Sequence, residues 1–399
     1  VLELTHEQKK ISDAIVDFAF GKIKGQYLAV SGYAGTGKTT VMGYAAAQIL
    51  ALEPKKAIAY CAPTGKAASV LESKLRDFGA FNALSAAHTI HGHIYRLRDS
   101  RSGNLNWEKK SDPLPYDLFV VDEASMVTGQ MFRDLLSFGK PVIFIGDPGQ
   151  LPPVGDVAFQ PLLDTEYTLE TVHRQALENP IIAMATAVRH GETIPFCSRG
   201  GTFLKIRRRD SRTAQVIQMF VDKLSENDTM ILCGTNNTRI SINGSVRRML
   251  GFNGTVPLVG EHLICLKNER QLGMFNGQIF TVLDSHGYCV NDACYSVRLD
   301  NEEEVIAYTG ALNSNSGKTL RVNMATDNAR IKENMELSFQ EEPCLFDYGY
   351  ACSVHKAQGS EWANVLLYDE RTRYMDDADY ARWLYTGMTR AKNRLCIIH

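Results

Sequence analysis

The stretch GYAGTGKT, residues 32–39, sets glycines, a lysine and a threonine in the spacing G-x4-G-K-[ST]. Glycines there let successive backbone N–H groups turn inward around a polyphosphate, and a helix starting just behind them favours its negative charge. Lys38 would reach the β and γ phosphates of ATP and Thr39 would ligate Mg²⁺, with Gly35, Thr36, Gly37 and Thr40 completing the cradle. Downstream, LFVVDEAS is an apolar run ending in Asp122 and Glu123. Adjacent carboxylates at a strand tip suit Asp122 to hold Mg²⁺ and Glu123 to polarise an attacking water. The next apolar run ends IGDPGQLPP, which brings Gln150 round a tight Pro-Gly turn to a γ-phosphate, with Asp147 to orient it. Phosphate loop, acidic strand tip and polar strand tip, in that order, describe a nucleotide hydrolase.

A second cluster, SVHKAQGSEW at 353–362, mixes histidine, lysine, glutamine, serine and a carboxylate without metal-ligand spacing or nucleophile–base order. Its polar groups suit ligand contacts rather than covalent catalysis. His88, His91 and His93 have no companion cysteine or carboxylate at ligand spacing, so they are not read as a metal site. The run KIRRRD at 205–210 is a candidate for contact with a phosphate backbone, although charge runs ordinarily face solvent.

The elements that must position these groups follow from the apolar pattern. YLAVSG, AIAYCAPT, DLFVVDEAS and PVIFIGDPGQ are short apolar runs closed by polar or glycine-rich turns, mostly with helical patterns between them. That is the signature of a parallel sheet, with function at the carboxyl ends of its strands. HIYRLRDSRSGNLNWEKKSD has two extended arms about a Ser-Gly-Asn turn and reads as a hairpin inserted in the first domain. From about Glu261 to Ala311 the chain is strand-rich, with turns at Asn276-Gly277 and Asp300-Asn301, as a small all-β barrel requires. TMILCGTN, YGYACSVHKAQ, NVLLYDE and RLCIIH again read as α/β strands, so a second α/β domain is interrupted by the β insertion. The stretch from Asn313 to Gln340 carries no assignment.

At 399 residues the chain is long enough for two or three domains. Its net charge of −2 announces no global attraction to polyanions, so a nucleic-acid partner must be met by a local groove. The nine cysteines form no CxxC pair and are expected to be reduced core thiols. With no apolar run of membrane-spanning length and no signal-peptide pattern, a soluble cytoplasmic protein with no membrane partner is expected.

Taken in order, EQKKI, GTGKT, APTGKAA, HTIH, DEAS, GDPGQLPP, HRQ, SVHKAQGSEW and YTGMTRAKNRL resemble the motifs of superfamily 1 helicases of the Dda-like and RecD-like branch. The resemblance implies an α/β fold of two RecA-like P-loop domains with parallel sheets, residues 1–175 and residues 176–255 with 346–399. It places a pin hairpin at about 92–113 in the first and an SH3-like β insertion, 256–345, in the second. Gln8 falls in the adenine-recognising motif, and Arg174 and Arg390 match arginine fingers, whose planar guanidinium suits charge spreading over transferred phosphoryl oxygens. By the same resemblance Ser353, His355 and Lys356 face the nucleic-acid strand, and Gln358, Gly359 and Glu361 face the nucleotide. Pro63, Thr64, Lys66, Thr89 and His91 match strand-contacting positions, Tyr95 and Trp107 lie in the pin, and Trp362 is left to core packing.

The implied activity is ATP-dependent unwinding of DNA with 5′-to-3′ movement on one strand. The implied partners are single-stranded DNA, forked or tailed duplex, and a single-strand-binding, replication or recombination protein, with the chain itself a monomer. An RNA track and a nucleotide-gated remodelling subunit that does not unwind are the alternatives. A P-loop kinase or ligase is disfavoured by the paired arginine motifs and APTGKAA.

Overall fold

The apolar runs become strands whose alternate side chains enter two different cores, as a sheet covered on both faces requires. In the computed structural model the chain divides into two compact units, Val1–Glu192 with Ala381–Thr386, and Thr193–Tyr380 with Gly387–His399. The structure describes residues 3–99, 105–153, 159–171, 179–224, 228–269, 272–288, 294–314 and 343–399. Arg174, the tip of the expected hairpin and most of 313–340 lie outside these residues.

The first unit runs α1 (His6–Ala19), β1 (Tyr27–Gly32), α2 (Lys38–Leu52), β2 (Ile58–Ala62), α3 (Gly65–Asp77), β3 (Ala86–Thr89), α4 (Ile90–Ile94), β4 (Tyr95–Asp99), β5 (Leu105–Lys109), β6 (Leu118–Val121), α5 (Gly129–Leu136), β7 (Val142–Gly146), α6 (Gln160–Leu163), β8 (Thr168–Leu169) and α7 (Pro180–Arg189). Its sheet has the order β3-β2-β6-β7-β1-β8, and each neighbouring pair is parallel. Ile58, Tyr60, Leu118, Val120, Ile143 and Ile145 enter the core shared with α1, α2 and α3. Their neighbours Ala59, Cys61, Phe119, Val121, Val142 and Phe144 enter the opposite core. Each such fully buried large side chain contributes roughly 1.5–3 kcal/mol of transfer free energy. The unit extends past the expected limit at 175 to Glu192, because α7 buries Ile181, Met184, Ala185 and Val188. The expected hairpin is present as β4 and β5, an antiparallel pair with Tyr95 opposite Lys109 and Leu97 opposite Trp107.

The second unit runs β9 (Ser198–Arg199), β10 (Phe203–Ile206), α8 (Thr213–Asp222), β11 (Thr229–Cys233), α9 (Asn236–Met249), β12 (His262–Cys265), β13 (Ile279–Tyr288), β14 (Cys294–Leu299), β15 (Glu304–Tyr308), β16 (Phe346–Tyr348), β17 (Ala351–Ser353), β18 (Trp362–Tyr368), α10 (Asp377–Met388) and β19 (Ala391–Ile398). One sheet, β17-β11-β18-β19-β10-β9, is parallel except at its β9 edge. The other, β15-β14-β13-β12-β16, is antiparallel throughout.

Two features of this unit differ from expectation. Phe346–Tyr348 pairs with β12 in the antiparallel sheet, so the return to the α/β sheet falls between Tyr348 and Ala351 rather than at 346. The β insertion also shares one continuous core with the α/β sheet: Phe220, Ile231 and Leu366 pack in the same cluster as Phe280, Tyr295 and Val297.

A polar stripe on α9 fastens the two sheets. Arg239, Asn243 and Arg247 recur every four residues and therefore share a helix face. Arg239 pairs with Asp347 and also donates to the Ser314 carbonyl at 2.8 Å. The Asn243 amide donates to the Tyr348 carbonyl (2.9 Å) and accepts from the Ala351 N–H (2.8 Å), holding both sides of the sheet change. Arg247 grips the fully buried Glu261 through both carboxylate oxygens, at 2.6 and 2.9 Å, and donates to the Gly254 carbonyl.

Candidate functional site

The phosphate loop joins β1 to α2 and is closed on itself. Gly35 and Gly37 hold the left-handed φ values 79° and 83°, and Gly37 serves as N-cap of α2 with no side-chain cap. The N–H groups of the first turn are thus left for an anion. Gly32 must be glycine on space alone: a Cβ there would stand 2.9 Å from the Thr36 hydroxyl and 3.0 Å from both Lys38 and Leu169. The Thr36 hydroxyl and the Lys38 ammonium both donate to the Tyr33 carbonyl, at 2.8 and 3.0 Å. Gln8 is buried against the loop. Its amide nitrogen donates to the Thr36 carbonyl at 3.2 Å, while its oxygen accepts the Thr5 N–H and completes the capping box of α1.

The strand order brings the other groups to this loop. β7 lies between β1 and β6, so its tip, 147–150, borders both the phosphate loop and the acidic tip. Asp122 ends β6 with one carboxylate oxygen accepting the Glu123 N–H at 2.9 Å. Burial, and then the Glu123 carboxylate beside it, push the Asp122 carboxyl up to about 6. Glu123 takes a left-handed backbone (φ 51°) that a side chain adopts only at a cost, and its buried Oε2 has no hydrogen-bond partner among the described residues. Asp147 is fully buried; its Oδ1 accepts the Gly149 N–H and its carbonyl accepts the Gln150 N–H, which shapes the turn that presents Gln150. The side-chain oxygen of Gln150 is buried without a partner among the described residues. Thr39 and Asp122 offer the oxygen donors that Mg²⁺ prefers, so the residues present fit that ion.

Two residues join this cluster that the motif reading left without a role. Arg189, at the end of α7, lies over the Tyr33 ring, 3.4 Å from its centroid, and its buried Nε has no partner among the described residues. Tyr385, in the part of α10 that packs with the first unit, accepts from the Ala34 N–H at 2.9 Å and donates to Asp147 at 2.7 Å. Only the frame YTGMTR, which includes Tyr385, was a signal in the sequence; Arg189 had none.

The expected strand-binding groups of this unit gather at neighbouring strand tips, since β2 and β3 pair with Ala62 opposite Thr89. Thr64 caps α3 by accepting the Ala67 N–H at 3.1 Å, with Pro63 and Lys66 half-buried on either side. Thr89 caps α4 through the Gly92 N–H. His91 packs against Tyr95 at a tilt of 33° (ring centroids 5.0 Å) and meets the edge of Trp107 (5.5 Å), and burial lowers the His91 pKa. The Tyr95 hydroxyl is tied to Asp134 at 2.6 Å, so the hairpin base is anchored and Trp107, 48% exposed, is the ring presented to solvent. His93 is a core residue, its Nε2 against the Tyr60 carbonyl.

In the second unit SVHKAQGSEW forms the turn from β17 to β18. Ser353 Oγ accepts the Lys356 N–H at 3.3 Å, Gly359 turns the chain with φ 74°, and Trp362 is buried. Burial also lowers the His355 pKa, while Gln358 is buried and Lys356 exposed. Arg390 is buried against this turn, donating to the Ser360 carbonyl at 3.3 Å and to Thr389 at 3.2 Å. Glu361 is exposed and stands 3.8 Å from Lys392. Lys205 departs from the solvated run expected at 205–210, since it is buried and donates to the Ile194 carbonyl.

Residues 3–203 match a protein-family model described as an AAA domain, and residues 348–398 one described as a UvrD-like helicase C-terminal domain. An ATP-dependent RecD2 DNA helicase of Deinococcus radiodurans is 28% identical, the match covering 98% of this chain and 48% of that protein. A RecBCD enzyme subunit RecD of Mycolicibacterium smegmatis is 25% identical over 92% of this chain and 67% of its own. The chain thus spans about half the length of the Deinococcus relative. In fold it resembles a Bacteroides Pif1 helicase solved with ADP-AlF3 and single-stranded DNA, with TM-score 0.54 at 18% identity, covering 100% of this chain and 92% of that one. Pif1 helicases solved for DNA unwinding at forked duplex give TM-score 0.56 at 17% identity over 100% and 92% of the two chains. The AAA match spans half of the sequence, the helicase C-terminal match covers its end, and the motifs fall in order inside the two matched stretches: the chain belongs to the AAA-domain family and to the superfamily 1 helicases of the Dda-like and RecD-like branch.

Proposed function

We propose that the chain is an ATP-driven DNA helicase that moves 5′ to 3′ along one strand. The observation that carries the nucleotide half is the meeting of three adjacent strand tips: the phosphate loop after β1, the unsatisfied Gln150 oxygen after β7, and the strained, unsatisfied Glu123 after β6. Each polar atom buried without a partner costs about 1–3 kcal/mol, and two of them converging beside a phosphate loop suit a ligand that completes the set.

On this reading Lys38 leaves the Tyr33 carbonyl to pair with the β and γ phosphates, and the uncapped N–H groups of α2 hold the oxygens between them. Thr39 and Asp122 would hold Mg²⁺, whose charge, when bound, offsets that of the phosphates. Glu123 takes the proton of an attacking water, and Gln150 orients that water or the γ-phosphate with its amide. Arg174 and Arg390 supply positive charge to the transferring group. Gln8 reads the adenine edge, and Gly359 and Glu361 belong to the nucleotide side of the second-unit turn.

For the strand, the α3 N-terminus with Thr64 and Lys66, the Thr89 and His91 tip, and the turn with Ser353, His355 and Lys356 supply phosphate contacts, and Trp107 supplies a stacking face at the duplex junction. The Dda-like motif order supports the 5′-to-3′ direction, and the Deinococcus relative supports DNA as the track.

The test is unwinding, by the purified chain, of partial duplexes with a 5′ or a 3′ single-stranded tail, with Lys38→Ala as control. Separation of the 5′-tailed substrate alone is expected. Preference for the 3′ tail overturns the polarity; strand-stimulated ATPase without separation overturns helicase action in favour of translocation; hydrolysis indifferent to any nucleic acid overturns the reading as a whole.

A further inference from the structure

The edge of the second-unit sheet farthest from β17 holds a cavity of about 310 Å³ that the helicase reading does not use. It is lined chiefly by Phe196, Cys197, Lys205, Arg207, Asp210 and Arg212. Lys205 and Arg207 follow alternately along β10 and its extension, so they leave the strand on one face. Lys205 is only 6% exposed. One of its three ammonium protons goes to the Ile194 carbonyl at 3.3 Å, and the other two have no hydrogen-bond partner among the described residues. The Phe196 ring lies under both cations, 5.4 Å from the Lys205 ammonium and 4.6 Å from the Arg207 guanidinium.

The negative groups nearby are already taken. Asp210 is held by both Nε and Nη2 of Arg212, at 2.9 and 2.8 Å. Asp369, the carboxylate that acts on Lys205, has one oxygen on the Tyr380 hydroxyl and the other on His399, both at 2.6 Å. Arg212 is also the N-cap of α8 and provides no side-chain cap, so the first-turn N–H groups of that helix add to the positive field. Among the described residues neither Lys205 nor Arg207 has a carboxylate within ion-pair distance, and Asp369 acts on Lys205 only through space. Burying an ammonium costs several kcal/mol unless an anion meets it, and burial accordingly lowers the Lys205 pKa.

We propose that this cavity is a phosphate-binding site, separate from the phosphate loop, in which Lys205 and Arg207 clamp a phosphate group over Phe196. A phosphate offers several acceptor oxygens, enough for the two free ammonium protons and the Arg207 fork together. The group belongs either to a nucleic-acid strand or to a small phosphorylated molecule.

The experiment is calorimetric titration of inorganic phosphate into the full chain saturated with Mg²⁺ and a non-hydrolysable ATP analogue, repeated in Lys38→Ala so that the phosphate loop cannot account for the heat. Saturable binding is expected, weakened at least about tenfold by Arg207→Gln and again by Lys205→Met, as loss of a charge-assisted hydrogen bond implies. Arg207 is exposed, so its substitution tests the site even if Lys205→Met disturbs folding. Absence of binding in the parent chain, or equal binding in parent and Arg207→Gln, overturns the proposal. Competition by an oligonucleotide carrying a 5′-phosphate but not by its 5′-hydroxyl twin assigns the site to strand ends; competition by both assigns it to the backbone; competition by neither assigns it to small phosphorylated molecules.

Discussion

The loop-end cluster of the first unit and the α9 stripe of the second are both buried and both polar, but they are built to opposite rules. Along α9, Arg239, Asn243 and Arg247 meet carboxylates and carbonyls that answer each donor. Around the phosphate loop, Glu123 Oε2, Gln150 Oε1 and Arg189 Nε have no partner among the described residues, and Glu123 is held in a strained backbone as well. A satisfied buried network holds two sheets in one geometry, whereas an unsatisfied one stores free energy that a ligand releases. Buried atoms without a partner also occur at scaffold positions such as Ser12 and Tyr295, so what distinguishes the first cluster is that three of them gather around one phosphate loop.

The sharpest way to break the comparison is Glu123→Gln. If the orphaned oxygen is the base, strand-stimulated ATP turnover falls by roughly 10²- to 10⁴-fold while nucleotide binding and thermal unfolding are retained; a fall below tenfold would remove Glu123 from the chemistry. Arg247→Ala probes the other region. It leaves Glu261 buried without its ion partner, held among the described residues only by the Leu258 N–H and the Tyr350 hydroxyl, and is expected to lower unfolding free energy by about 3–5 kcal/mol in a denaturant titration, with the pair replacement Arg247→Met with Glu261→Leu restoring part of it. An Arg247→Ala loss under 1 kcal/mol would show that the stripe is no fastening.

Arg189 sits on the border between the two rules, stacked on Tyr33 yet unsatisfied at Nε. Arg189→Ala is expected to lower kcat for ATP by roughly ten- to a hundredfold with little change in stability, the value of one charge-assisted hydrogen bond made in the transition state. Loss of stability with unchanged kcat would place it with the scaffold.

The smallest effect concerns Asp122. Its folded carboxyl, raised to about 6 from an ordinary value of 3.8, binds a proton that the unfolded chain has already lost between those values. The group therefore subtracts stability progressively as pH rises from 4 to 6, and by a constant amount above that. Asp122→Asn is expected to raise the apo protein's Tm by a few degrees at pH 8 and not at pH 4, while ATP turnover fails. A Tm difference that ignores pH would deny the raised carboxyl.

What could be read from the sequence was local. β1, β2, β6 and β7 fall on the quoted apolar runs, and the hairpin lies where its two extended arms were seen, because alternation, turn residues and loop spacing act over a few positions. The crossing of Phe346–Tyr348 into the antiparallel sheet depends on pairing with β12, some eighty positions away, and YGYACS carries no mark of it. The same limit hid Arg189, which meets the loop only after α7 packs. Lys205 was obscured for a different reason: charge runs average toward solvent, and one member of this run turns inward.

One consequence concerns Gln8, whose single amide serves two masters, the first turn of α1 through Thr5 and the phosphate loop through Thr36. The amide keeps a second proton and a second lone pair, so a base bound there would share the group and compete with both bonds for its orientation. If the base takes that share, the N-terminal turn of α1 loosens on nucleotide binding, and faster hydrogen exchange at the Thr5 amide is the expected sign of it.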